Sequence, residues 1–212
     1  MRISGVMRRP QFFFCLLLLG CGANSTDRLV AQLGDDDPEV RRVAARALAD
    51  QRGTSSEIIA ALTQAAANSD VEVRQIAVEA LAQKGSAAET VLPPLERALA
   101  DPELSVRLKA ALAIRKIDPE SESYRPVLLD SLRAGHGTVF LEVGRMGTDA
   151  QWAVPTLVTV LSSDRRPSIR ALAASTLGRI GASTSKVESA LRRALRDQSP
   201  AVRTAAQQAL GE

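Results

Sequence analysis

The sequence predicts an all-α, right-handed solenoid of about six helix pairs, and three observations carry that prediction. The first is a period. Val40-Arg41, Val73-Arg74 and Val106-Arg107 stand 33 residues apart, with Val139-Phe140 following at 33, Ile169-Arg170 at 30 and Val202-Arg203 at 33. A fixed repeat of this size marks stacked units, none of which buries its apolar face alone. The second is an apolar stripe after each of these positions. Val40, Val43, Ala44, Ala47 and Leu48 fall at i, i+3, i+4, i+7 and i+8, and the pattern returns at Val73, Ile76, Ala77, Ala80 and Leu81, at Ile169, Leu172, Ala173, Thr176 and Leu177, and at Val202, Ala205, Ala206, Ala209 and Leu210. That spacing describes an amphipathic helix facing a shared core. The third is punctuation. Asp37, Asp70 and Ser199 are placed as N-caps, Pro38, Pro167 and Pro200 fit the first helical turn, and Gly53, Gly85, Gly147 and Gly181 are placed to close helices in the left-handed conformation.

In chain order, residues 1–21 read as an export leader. Arg2, Arg8 and Arg9 form a positive region, and Phe12 to Gly20 form an apolar run of nine residues. That is too short to span a bilayer, which takes about 20 residues. Leu18-Leu19-Gly20-Cys21 resembles a bacterial lipobox, although Leu19 stands where a small or β-branched residue is more usual. The resemblance implies lipidation of the Cys21 sulfur and cleavage before it. The twin-arginine pattern is not met, because Phe12 is one place late after Arg8-Arg9. Residues 22–26 make a polar linker that reaches at most roughly 18 Å, so a lipid on Cys21 would hold the rest close to a membrane surface.

Residues 27–212 then read as the solenoid. The predicted pairs are Asp27–Leu33 with Pro38–Gln51, Ser56–Ala67 with Val71–Lys84, Ala87–Ala100 with Pro102–Ile117, Glu120–Arg133 with Thr138–Met146, Ala150–Ser162 with Pro167–Ile180, and Lys186–Arg196 with Pro200–Leu210. The first pair is short and polar. The last helix is rich in alanine and lacks an obvious cap.

The recurring unit, an aspartate followed by Val-Arg and then an Ala/Leu pattern, is similar to the HEAT repeat. Ala153 to Leu157, reading Ala-Val-Pro-Thr-Leu, looks like the short bacterial subtype shared with phycobilisome-lyase-like repeats. The resemblance implies a structural ladder in which Asp35, Asp101, Asp164 and Asp197, with Asn68 in the second repeat, meet Arg41, Arg74, Arg107, Arg170 and Arg203. An aspartate there can accept from helix-start N–H groups and from the guanidinium fork. Pro93, Pro126 and Pro155 match the proline that bends the family's first helices. The fourth repeat departs, with Ala134 and Phe140 at the ladder positions and Ala134-Gly135-His136-Gly137 in place of the aspartate turn. A local break or change of curvature is expected there.

Composition narrows the function. Only 3% of residues are aromatic, which suits thin layers of Ala and Leu between close helices. The formal charge of +3 comes from the three arginines of the leader, and the remaining 24 basic residues balance 24 acidic ones. No overall field draws phosphate, so nucleic acid is not an expected partner. A gradient remains, with 14 acids and 10 bases in residues 22–110 and 10 acids and 14 bases in residues 111–212. Cys15 and Cys21 make neither a disulfide framework nor a metal site. Catalytic motifs such as G-x-S-x-G, a phosphate loop or H-E-x-x-H do not occur. The one histidine, His136, lies between two glycines, and Tyr124 and Trp152 read as packing residues. No catalytic residue, cofactor, metal or small-molecule substrate is therefore expected.

In HEAT-like arrays the second helices line the concave side. The positions two, five, six and nine after each repeat's Val are then expected to face outward. These give Arg42 and Arg46; Gln75, Val78 and Glu79; Leu108, Leu112 and Arg115; Leu141 and Arg145; Ser175 and Arg179; Thr204 and Gln208. Leu108, Leu112 and Leu141 would form an apolar patch, rimmed by Arg46, Arg115, Arg145 and Arg179. The sequence thus points to a non-enzymatic scaffold, lipid-anchored in a bacterial envelope and facing the periplasm or cell exterior, that binds a protein or peptide. The alternative, by analogy of repeat subtype, is an enzyme resembling a bilin lyase or isomerase.

Overall fold

The computed structural model describes residues 25–181 and 183–211. The leader and Cys21 lie outside the described residues. Among those residues there are twelve α-helices and no strand. They pair as α1 Ser25–Gln32 with α2 Pro38–Asp50, α3 Ser56–Ala65 with α4 Val71–Gln83, α5 Ala88–Ala98 with α6 Leu104–Ile117, α7 Arg125–Ala134 with α8 Gly137–Arg145, α9 Val154–Ser163 with α10 Pro167–Ile180, and α11 Ser185–Ala194 with α12 Pro200–Leu210. Short 3-10 segments, Gly85–Ala87 and Gly147–Ala153, lead into α5 and α9.

Local chemistry sets most helix ends. The Asp37 carboxylate accepts from the Glu39 N–H at 2.9 Å, and Asp70 accepts from Glu72 and Val73 at 2.8 and 3.4 Å. Ser199 differs from the sequence expectation, because its hydroxyl makes no cap bond. Asp197 takes the Ser199 N–H at 2.9 Å and shapes that turn instead. Gly53, Gly147 and Gly181 have positive φ, but Gly85 does not. Gly85 opens a 3-10 segment, while the neighbouring Lys84, 8% exposed, donates to the Gln51 and Gly53 carbonyls at 2.8 and 3.1 Å. Lys84 thereby satisfies the end of α2 from the next repeat. Of the prolines expected to bend first helices, only Pro93 lies inside one. Pro126 and Pro155 sit in first turns, where a missing N–H costs nothing.

The core is one contiguous layer that includes Leu48, Leu62, Leu81, Leu95, Ile114, Leu128, Leu132, Leu157 and Leu177. The buried arc of each second helix is displaced from the predicted stripe. Val43, placed inward by its spacing, is 59% exposed, whereas Val78, placed outward, is fully buried. The cause is the stack. A second helix covers one side with its pair partner and another with the next repeat, so the position five after the Val is enclosed. Ala45, Val78, Ala111 and Ala174 are all fully buried there, and Gly144 occupies the same position.

Adjacent second helices pack side by side, α2 on α4, α4 on α6, α8 on α10 and α10 on α12, and more closely than adjacent first helices do. The second helices therefore form the inner, shorter-radius side. The series is interrupted once. α6 and α8 are the most loosely packed of the adjacent second helices and α5 and α7 of the adjacent first helices, and repeat 4 joins repeat 3 chiefly through α6 on α7. Phe140, at the ladder position of the arginine, is fully buried.

Close approach elsewhere depends on small residues. A Cβ on Gly178 would lie 2.9 Å from the Cα and Cβ of Ala209, whereas one on Gly144 would meet the flexible Arg179 Cδ at 3.1 Å. Gly178→Ala is therefore expected to lower stability by about 1–3 kcal/mol. Gly144→Ala is expected to be neutral or mildly stabilising, through helix propensity. Urea midpoints at unchanged slope separate the two.

Candidate partner-binding face and the charged ladder

In five of the six repeats the same turn joins the two helices. The side-chain oxygens of Asp35, Asn68, Asp101, Asp164 and Asp197 accept the N–H two residues on, at 2.8–2.9 Å. This is an Asx-turn, in which a short polar side chain mimics backbone. The arginine six residues later closes the loop by donating through Nη1 to carbonyls of the same turn. Arg74 reaches Asn68 and Ser69 at 2.9 and 3.0 Å, Arg170 reaches Asp164 at 2.8 Å, and Arg203 reaches Asp197 at 2.9 Å.

With Nη1 held, the Nε–Nη2 edge of the fork points to the next repeat. Arg74 grips Asp101 at 2.7 and 3.1 Å, and Arg170 grips Asp197 at 2.8 Å through both nitrogens. These are bidentate, charge-assisted pairs with little solvent, which gives them geometric as well as energetic weight. The other junctions differ. Arg41 approaches Asp70 at 3.6 Å, and Arg42 reaches the same carboxylate at 3.2 Å. Asn68, lacking a charge, donates to the Leu33 carbonyl at 2.8 Å. Between repeats 4 and 5 the rung is rebuilt from the far side. Arg166 binds Asp164 through Nε and Nη2 at 3.0 and 2.8 Å and donates to the Ala134 carbonyl at 3.1 Å. Phe140 is thus replaced by an arginine from the following turn, which lies over Gly135, a residue with φ +77°. Sequence reasoning missed Arg166, because it occurs once and outside the period.

The carboxylates respond to these contacts. Hydrogen bonds from Arg166 hold Asp164 at about 2, and those from Arg170 hold Asp197 below the usual carboxylate range. For Asp101 burial acts upward, but the Arg74 fork and the Glu103 N–H outweigh it and the net shift is downward. Asp70 is likewise lowered against burial, by the Glu72 N–H and Arg42.

The inner face carries the other residues singled out by sequence. Arg46 is exposed and paired with Glu72. Glu79 accepts from Lys109 at 2.8 Å and Gln75 donates to Ser105 at 2.6 Å, linking α4 to α6. Arg145 is paired with Glu142 at 2.6 Å, and Arg179 is exposed on α10. Leu108 and Leu112 are half-buried against the core rather than exposed. The equivalent positions of the first two repeats, Arg42 and Arg46 on α2 and Gln75 and Glu79 on α4, are likewise half-buried or exposed. Leu141 is 41% exposed. Tyr124 and Trp152 pack edge-on, centroids 6.1 Å apart, with the Arg125 guanidinium 5.8 Å from the Trp152 ring centroid.

The sequence matches a family model described as HEAT repeats over residues 26–115, 59–146 and 154–212. Among solved structures it is similar to a designed armadillo repeat protein in complex with the peptide (KR)4, with a TM-score of 0.55, 19% identity, and coverage of 89% of this chain and 99% of that one. It is also similar to the complex of CpcE and CpcF of phycocyanin lyase from Nostoc, with a TM-score of 0.50, 21% identity, and coverage of 95% and 81%. At such identities the likeness is one of fold. No curated protein matches the sequence.

Each lowered carboxylate stabilises the folded state above its unfolded value of about 3.9, and that contribution is lost as pH falls toward the folded value, about 2 for Asp164. The melting temperature is expected to hold from pH 7 to 5 and to drop between about pH 4 and 2. Arg74→Ala should cost about 2–3 kcal/mol at pH 7, and the deficit should shrink as acid protonates Asp101, whose carboxyl the Arg74 fork holds below the usual carboxylate range.

Proposed function

The chain belongs to the HEAT-repeat family, and from that premise we propose that it is a binding scaffold that holds a protein or peptide on its inner face and is tethered by a lipid on Cys21 to a bacterial membrane, on the periplasmic or outer side. The observation that carries the binding reading is the break in the stack. There Leu108 and Leu112 of α6 are half-buried and Leu141 of α8 is exposed, on a face whose surroundings are charged. Apolar residues grouped in this way favour a polypeptide partner over solvent, and Arg46, Glu79, Arg115, Arg145 and Arg179 around them set orientation.

The reading is non-catalytic. Many of the charges along the inner side and the turns join repeats or close loops, and His136 lies exposed in a turn between glycines. The fold shared with the phycocyanin lyase subunits does not transfer their chemistry, since function follows the site and not the architecture. The anchoring part of the proposal rests on Leu18-Leu19-Gly20-Cys21. No helix among the described residues is long and apolar enough to cross a membrane.

Crosslinking in the native cell followed by mass spectrometry tests the binding reading. Leu141→Glu, at an exposed position, and Leu112→Glu are each expected to remove the crosslinked partner while the melting temperature of Leu141→Glu stays within a few degrees of the parent. An unchanged crosslink in both variants would refute it. Cys21→Ser is expected to move the protein out of the membrane fraction, and retention there would remove the anchor.

A further inference from the structure

We infer that the seam between α6 and α8 is an acid-reading site, which takes an extended partner segment carrying two carboxylates about four residues apart with an apolar residue midway between them. The inference rests on the proposed role of the inner face and adds the chemistry of what binds there.

The argument begins with Arg107. Its Nη1 donates to the Asp101 and Pro102 carbonyls, the same anchorage that holds Arg74 and Arg170. In those two residues the Nε–Nη2 edge then grips the aspartate of the next repeat. The next repeat here presents Ala134, whose methyl group offers no acceptor. Among the described residues the Nε and Nη2 of Arg107 have no hydrogen-bond partner. The protein thus shows twice what this fork is built to hold, a carboxylate, and in the third case supplies none.

A second residue points the same way. Arg115 lies two turns along α6, its Nε is buried without a partner, and it makes no ion pair among the described residues. Of the arginines that are half-buried or buried, 41, 42, 74, 125 and 170 each meet a carboxylate. Those that do not are Arg107, Arg115 and Arg203, and the first two share one helix. α6 has four cations and no carboxylate in its sequence, LSVRLKAALAIRKI, and only Lys109 is paired, with Glu79. On the facing helix the single carboxylate, Glu142, is bound to Arg145.

Leu108, Leu112 and Arg115 fall at i, i+4 and i+7, one stripe along the seam. From Arg107 to Arg115 the helix rises about 12 Å, which an extended segment covers in about four residues. Side chains of an extended segment alternate sides, so acids at i and i+4 share a face and reach the Arg107 fork and Arg115 together, with the apolar residue at i+2 between them against Leu108 and Leu112. A bidentate fork discriminates carboxylate from amide.

The test uses the full chain and fluorescein-labelled peptides of sequence Glu-Ser-Leu-Ser-Glu, Gln-Ser-Leu-Ser-Gln and Lys-Ser-Leu-Ser-Lys, each flanked by glycines, followed by fluorescence anisotropy. The Glu peptide is expected to bind at least about tenfold more tightly than the other two, with affinity falling as salt rises. Ala134→Asp supplies the missing carboxylate from within. It should raise the melting temperature and weaken the Glu peptide about tenfold. Arg115→Gln, which leaves the turn untouched, should weaken it by a similar factor. Equal binding of the Glu and Gln peptides, or Glu-peptide affinity unchanged in both variants, overturns the acid-reading site. If that happens while Leu141→Glu still removes the cellular crosslink, the scaffold reading stands and only the carboxylate chemistry falls.

Discussion

Every repeat in this chain depends on one constraint: a helix pair buries only part of its apolar surface and must borrow the rest from its neighbours. Alanine, valine and glycine at the position five after each repeat's Val exist to let the next helix approach. At Gly178, nine after Ile169, even a methyl group has no room against the Ala209 backbone. The charged rungs are secondary to this packing and follow from it. Once two turns are brought together at the edge of the stack, an aspartate already fixed by its own Asx-turn lies within reach of an arginine already fixed by its own carbonyls. Little conformational freedom remains to be lost when the two meet, which is why such a pair contributes more than an ordinary surface ion pair.

The same constraint explains how much of the molecule was legible in its sequence. The period, the six pairs and the ladder positions are local patterns, each written within about thirty residues, and the helices lie close to where those patterns put them. What the pattern misjudged depends on three dimensions. Val43 and Val78 exchanged burial because a stack encloses an arc that a lone amphipathic helix leaves open. Leu108 and Leu112, read as exposed, are half-buried against the core. Lys84 and Arg166 escaped notice because each acts once, on a carbonyl about thirty residues away, and a contact made once leaves no periodic trace.

The fourth repeat was visible as an irregularity, but its consequence was not. The sequence shows Ala134 and Phe140 and suggests that two successive rungs are lost. The structure separates the two losses. Phe140 turns inward as part of the core, and Arg166 restores the rung that its position would have formed. Ala134 has no such substitute. One interface is thus repaired and the other left unpaired, although the two substitutions lie six residues apart in one repeat. The residue that decides between them, Arg166, belongs to the following turn.

Mechanically, a solenoid is a set of springs in series, since each unit transmits force only to its neighbours. In such a series the softest joint takes most of any displacement, whatever the stiffness of the rest. With α6 and α8 the most loosely packed of the adjacent second helices, a pull or twist applied to either end would be absorbed mainly as opening and closing at that joint. Repeats 1–3 and repeats 4–6 would then move as two stiff arms. The width of the seam, and with it the grip on whatever lies inside, becomes a function of how far apart the two arms are held.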